Sequence, residues 1–125
     1  MKAQEMDQLR QTLEQQAEQQ RSQLLDALTD EGAVPPATLA ELASCSTDTL
    51  LEFALGYYSR RSNQALSQLE RIAAALADIG LGLYGVCSDC EEPLTLEQLR
   101  QDPACRRCPR CEAKRKALRS NGVMH

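Results

Sequence analysis

The chain has 125 residues, six of them cysteine, with 3% aromatic residues and no Trp. That length holds at most one domain plus an extension, and so few aromatics exclude a large globular core. The net charge of −4 is unevenly spread. Residues 1–104 carry seven Lys/Arg against seventeen Asp/Glu, whereas residues 105–125 carry seven basic residues (Arg106, Arg107, Arg110, Lys114, Arg115, Lys116, Arg119) against Glu112. An acidic body with one basic end excludes wholesale coating of nucleic acid, although the basic end can touch phosphate.

The N-terminus, MKAQEMDQLR, is polar and carries no apolar run of signal-peptide type. No stretch approaches the roughly 18 uninterrupted apolar residues of a membrane span. A cytoplasmic protein with reduced thiols and no membrane contact is expected, and in that setting paired CxxC motifs bind metal more often than they form disulfides. Residues 3–28 lack Gly and Pro and are rich in Gln, Glu, Leu and Ala, all good helix formers. Met6, Leu9, Leu13, Ala17, Leu24 and Leu28 follow alternating steps of three and four, with the slot at Gln20 polar. That is one seam of a coiled coil.

A break follows in TDEGAVPPATLAELASCSTD, where Gly32 and Pro35-Pro36 stop the helix and Thr38 to Ala43 leave room for one extra turn. The second helix is predicted from an N-cap at Asp48 to Ile79, with the seam Leu51, Leu55, Tyr58, Ser62, Ala65, Leu69, Ile72, Leu76, Ile79. It would be roughly 48 Å long. Two seamed helices around a breaker should pair as an antiparallel hairpin, since neither buries its stripe alone. The predicted fold is all-α: a coiled-coil hairpin over residues 1–80 with its tip at about 29–48, then a four-cysteine finger and a basic C-terminal helix over 81–125. GLGLYG (80–85) makes the junction.

Residues 87–111 hold five of the six cysteines, in overlapping CxxC units. Two zinc knuckles are normally separated by roughly 15–20 residues. Pairing Cys87/Cys90 with Cys108/Cys111 leaves seventeen residues between, and the alternative with Cys105/Cys108 leaves fourteen. Pro109 suits the first position of a helix, putting Cys108 at the cap and Cys111 in the first turn, where free N–H groups and the helix dipole stabilise thiolates. Cys105 is therefore the spare thiol, and Cys45 is not a ligand either. Thr95 and Gln98 form a capping box for a short helix ending before Pro103. Four thiolates close the coordination sphere, so one structural, non-catalytic zinc is expected. His125, the sole histidine, reads as a tail residue, no Gly-rich phosphate loop is present, and no Ser/His/Asp or Cys/His set is available beyond that residue. The chain is not expected to be an enzyme.

The pattern Tyr84-Gly85-x-Cys87-x-x-Cys90, then Glu92-Pro93-Leu94, Leu99, Pro103 and Cys108-x-x-Cys111, resembles the zinc finger of the DksA/TraR family of bacterial transcription regulators, which also follows a coiled-coil hairpin. The resemblance covers about residues 84–119 closely, and the hairpin in architecture and length only. It implies a protein that binds RNA polymerase rather than DNA. The hairpin would enter the secondary channel and the finger and C-terminal helix would dock on the rim, where Arg71, Arg110, Lys114 and Arg115 are the candidate contacts.

This chain departs from the family at several points. The DxxDxA motif of the best-known initiation regulators is absent from LAELASCSTDTL, leaving Glu41, Cys45 and Asp48 as tip candidates by position. Where relatives place basic residues for guanosine tetraphosphate, this chain has Arg71, Asp102 and Glu112, so dependence on that alarmone should be weak or absent. Glu91 replaces the glycine usual after the second cysteine, which strains the knuckle if φ is positive there. Gln98 replaces an Arg. A monomer is expected. The competing readings are a zinc-finger adaptor for another protein and, third, a small nucleic-acid binder using the basic helix, disfavoured because no aromatics interleave for base stacking.

Overall fold

The computed structural model describes residues 2–32, 34–56 and 60–120. Six helices account for most of them: α1 (Ala3–Glu31), α2 (Pro36–Ser44), α3 (Thr47–Ala54), α4 (Arg60–Leu81), α5 (Leu96–Gln101) and α6 (Pro109–Ser120). Among the described residues there is no strand, only an isolated antiparallel bridge between Val86 and Pro93. The all-α expectation holds for them. Tyr58 of the expected seam and His125 lie outside the described residues.

α1 starts with the Lys2 backbone N–H donating to the Glu5 carboxylate, 3.1 Å away. It ends where Gly32, at φ 69°, takes the left-handed conformation that ordinary residues resist. α4 ends in the same way. Gly82 (φ 74°) sends its N–H to the Ile79 carbonyl and Leu83 sends its own to Asp78, the paired bonds of a Schellman stop.

α1 and α4 lie side by side in opposite directions. Leu9 and Leu13, early in α1, share a core cluster with Ile72 and Ala75, late in α4. Leu24 and Leu28 share a second cluster with Ala65, Leu66 and Leu69, early in α4. Leu13, Leu24, Leu28 and Leu69 are wholly buried, each contributing about 1.5–3 kcal/mol of transfer free energy. The first cluster continues without a gap into the cysteine module through Tyr84, Cys87, Leu94, Leu99, Ala104 and Cys111.

The segment between the long helices differs from the sequence reading. The expected helix from Asp48 to Ile79 is not continuous: α3 stops at Ala54, and Leu55-Gly56 form a turn. The N-cap is Ser46, whose Oγ accepts from the Thr49 N–H at 3.2 Å, and Asp48 sits in the first turn. Leu50 and Ala54 are buried, not Leu51 and Leu55, and Leu55 is 54% exposed. Pro36 to Ser44 form more than two turns of helix rather than one.

The cause is tertiary. α2 folds back along α1 until its C-terminal end meets Arg21, whose Nη2 donates to the carbonyls of Leu42 (2.9 Å), Ala43 (3.4 Å) and Cys45. α3 then returns along α4, so Leu42, Leu50 and Ala54 join the cluster of Leu24 and Leu28. Glycine at position 56 makes the break cheap, being about 1 kcal/mol poorer than Ala inside a helix.

Candidate metal centre

The two knuckles are built by backbone bonds. Cys87 N–H donates to Glu92 O (2.9 Å), Leu94 N–H to Gly85 O (2.8 Å) and Glu91 N–H to Cys87 O (3.0 Å), closing a tight turn around Cys87 and Cys90. The turn requires φ 64° at Glu91, among the described residues the one non-glycine with positive φ. The strained knuckle anticipated from the absent glycine is present. The second knuckle is the start of α6: Pro109 occupies its first position and Glu112 N–H returns to Cys108 O at 2.9 Å. Ser88 ties the halves together, donating from N (2.7 Å) and Oγ (3.0 Å) to Arg106 O.

These elements bring Cys87, Cys90, Cys108 and Cys111 together with all four Sγ atoms within 4.8 Å of one another. Cys90 Sγ and Cys108 Sγ are 3.8 Å apart. A tetrahedral thiolate site with metal–sulfur bonds of about 2.3 Å has sulfur–sulfur edges of about 3.8 Å, so the donor set fits one ion. Cys105 stands apart from the cluster, its thiol donating to Arg107 O at 3.0 Å. All six cysteines are free of disulfides.

The thiols are electrostatically poised for a cation. Backbone N–H donation, first of all from Cys90, lowers Cys87 to about 6. The N–H of Cys111 lowers Cys108. Cys111 itself is pushed up to about 12, first by its hydrogen bond with Cys108 and then by burial. Arg110 lies beside Cys90, which raises the guanidinium further.

Hydrogen bonds behind the cysteines brace the centre. Tyr84 donates its buried hydroxyl to Pro103 O at 2.7 Å, and burial followed by the charge of Asp102 pushes its phenol up to about 12. The Thr95/Gln98 capping box is formed in both directions, at 2.9 and 3.1 Å, and α5 hands over to Pro103 through Asp102. Two ion pairs join the module to α4, Arg106–Asp78 at 3.1 Å and Arg71–Asp102 at 2.7 Å, and a third, Arg107–Asp89 at 3.1 Å, ties its two knuckles together.

The remaining candidates fall in different places. Arg71, Asp102 and Glu112 do come together, lining one open groove of about 600 Å³ with Arg106, Arg107 and Lys116, but Arg71 is engaged by Asp102. Lys114 and Arg115 are exposed on α6. Glu41 and Asp48 are exposed on α2 and α3, whereas half-buried Cys45 rests against Arg21, ten residues before the end of α1. Cys45 is therefore beside the middle of the long helix rather than at its far end. Little in the sequence warned of Arg21, one of two arginines in a Gln/Glu-rich helix.

No described helix is long and apolar enough to cross a membrane. Comparison with models of known protein families, with curated proteins and with solved structures finds no match.

Proposed function

We propose that this protein is a transcription regulator that binds bacterial RNA polymerase directly, with a helical rod directed into the secondary channel and a structural zinc holding its base. The observation that carries the proposal is a four-thiolate cluster welded by one core to a pair of long antiparallel helices. A closed site of this kind offers no open coordination position for chemistry, and its role is to order a short, aromatic-poor segment. The acidic rod suits a basic channel and the basic α6 suits an acidic rim, with Arg110, Lys114 and Arg115 available for that contact.

On this reading dependence on guanosine tetraphosphate is weak or absent, because Asp102 holds Arg71 and three carboxylates, Glu70, Asp102 and Glu112, line the groove where a polyphosphate would sit. It does not read DNA sequence.

The test is co-elution of the zinc-loaded protein with core RNA polymerase, challenged with a known secondary-channel binder. Competitive binding supports the proposal. Absence of binding at micromolar concentration removes it. One observation favours the second reading, an adaptor for another protein: the end of the rod carries α2 and α3 against the long helices and is broader than a bare two-helix tip.

A further inference from the structure

Residues 105–111 read Cys-Arg-Arg-Cys-Pro-Arg-Cys, two CxxC units that share Cys108. CxxC is the spacing by which two sulfurs reach one zinc, and both units have it. The cluster in the fold is Cys87, Cys90, Cys108 and Cys111. A set with Cys105 in place of Cys111 keeps the other three sulfurs and shortens the intervening segment from seventeen residues to fourteen.

The fold keeps Cys105 close to the ligands. Its side chain packs on the core cluster that contains Cys87 and Cys111, as do those of Cys90 and Cys108. Its Sγ donates at 3.0 Å to Arg107 O, the carbonyl of the peptide that leads into Cys108. Cys105 also lines the open groove of about 600 Å³ with Arg71, Arg106 and Lys116. Cys87 and Cys111, by contrast, are only 1% and 8% exposed. The thiol that borders the groove is thus a non-ligand packed beside the ligands.

A closed four-thiolate sphere has no free position, so an ion leaves or enters only as a ligand lets go. An entering thiolate lowers that barrier, because one metal–sulfur bond forms while another breaks. At rest Cys111 holds the position: the first turn of α6 fixes it, with its N–H directed to Cys108 Sγ at 3.5 Å.

We propose that Cys105 is a transfer ligand for zinc. It enters the coordination sphere from the groove side and takes the place of Cys111, while Cys87, Cys90 and Cys108 stay bound. The Cys111–zinc bond breaks as the Cys105–zinc bond forms. The proton leaving Cys105 passes through water to the Cys111 sulfur, and nothing is oxidised or reduced. From Cys105 the ion passes to a small thiol or chelator in the groove, and loading runs the same steps backwards. The inference rests on the zinc reading of the cluster and is independent of polymerase.

The test follows release of zinc from the loaded full chain to excess pyridylazoresorcinol. Cys105→Ser should still bind one zinc and release it several-fold more slowly than the parent, whereas Cys45→Ser should match the parent. A purely structural Cys105 would act in the opposite direction, since loosened packing speeds release. Saturating cobalt(II) reads the sulfurs directly, because its thiolate charge-transfer band grows with each bound thiolate. Cys111→Ser should show a four-thiolate band, and adding Cys105→Ser should remove one thiolate's share. Release from Cys105→Ser at the parent rate or faster would overturn the proposal, as would equal cobalt bands in the single and double variants. A parent chain that takes up no zinc would instead remove the metal reading, and this inference with it.

Discussion

The two ends of this molecule are stabilised in different ways. At the metal end, position is set by directional chemistry: four sulfurs within 4.8 Å, a reciprocal capping box, the Tyr84–Pro103 hydrogen bond and the double Ser88–Arg106 contact. At the far end, α2 and α3 are held by leucine and alanine burial and by one arginine. Hydrophobic contact is non-directional, so an apolar stripe accepts more than one partner, whereas a tetrahedral thiolate site accepts one arrangement. The metal end is fixed by its own donor atoms, and the far end by whatever packs against its stripe.

Removing the metal should divide the ends most sharply. Apparent zinc-binding free energies of small thiolate modules are about 10–16 kcal/mol and are largely folding free energy. Cys108→Ser or Cys111→Ser should therefore drop zinc below one ion per chain and erase amide protection over residues 84–118. Protection around Leu24 and Leu28 should survive. Cys105→Ser should leave zinc content unchanged, and loss of metal in that variant would overturn the ligand assignment.

Within the far end, Leu50→Ala should cost about 2–5 kcal/mol in denaturant unfolding because the side chain is wholly buried. Leu55→Ala should cost under about 1 kcal/mol, being half exposed. Equal costs would mean that Leu55 is as buried in solution as Leu50.

Back at the metal end, Tyr84→Phe should cost about 1–3 kcal/mol, leaving the Pro103 carbonyl without its donor. Tyr84 is also a pH probe. Its folded value of about 12 lies above the ordinary 10, so the fold favours the neutral phenol. That stabilisation is complete below pH 10 and lost as pH rises through 12. Unfolding midpoints of the parent should fall across that window more steeply than those of Tyr84→Phe. The smallest effect expected is at Glu91, where φ is 64°. Glu91→Gly should raise stability by about 1 kcal/mol by relieving left-handed strain, read as a rise in the thermal midpoint of the zinc-loaded chain.

Much of the site could be read from the chain itself, and the reasons are local. Seventeen residues between the knuckles, Pro109 behind Cys108, and Thr95 three residues before Gln98 each state a geometric requirement within one or two turns of backbone. Gly32 and Gly82 likewise announce helix ends because few other residues tolerate positive φ there. The seam at Leu51 and Leu55 misled because heptad periodicity reports that a stripe will be buried without naming what buries it. Leu50 and Leu51 are adjacent, and a short helix can turn either toward the core.

The sequence by itself determined the helical composition, the stops at both ends of the rod and the four sulfurs that gather at its base, because capping, left-handed glycine and ligand spacing are properties of contiguous residues. Tertiary structure alone decided that the chain between the long helices folds back and that Cys45 comes to rest beside Arg21. Those outcomes depend on contacts between different helices. There the free energy of burying Leu42, Leu50 and Ala54 outweighs the helix propensity of the stretch that would otherwise run straight.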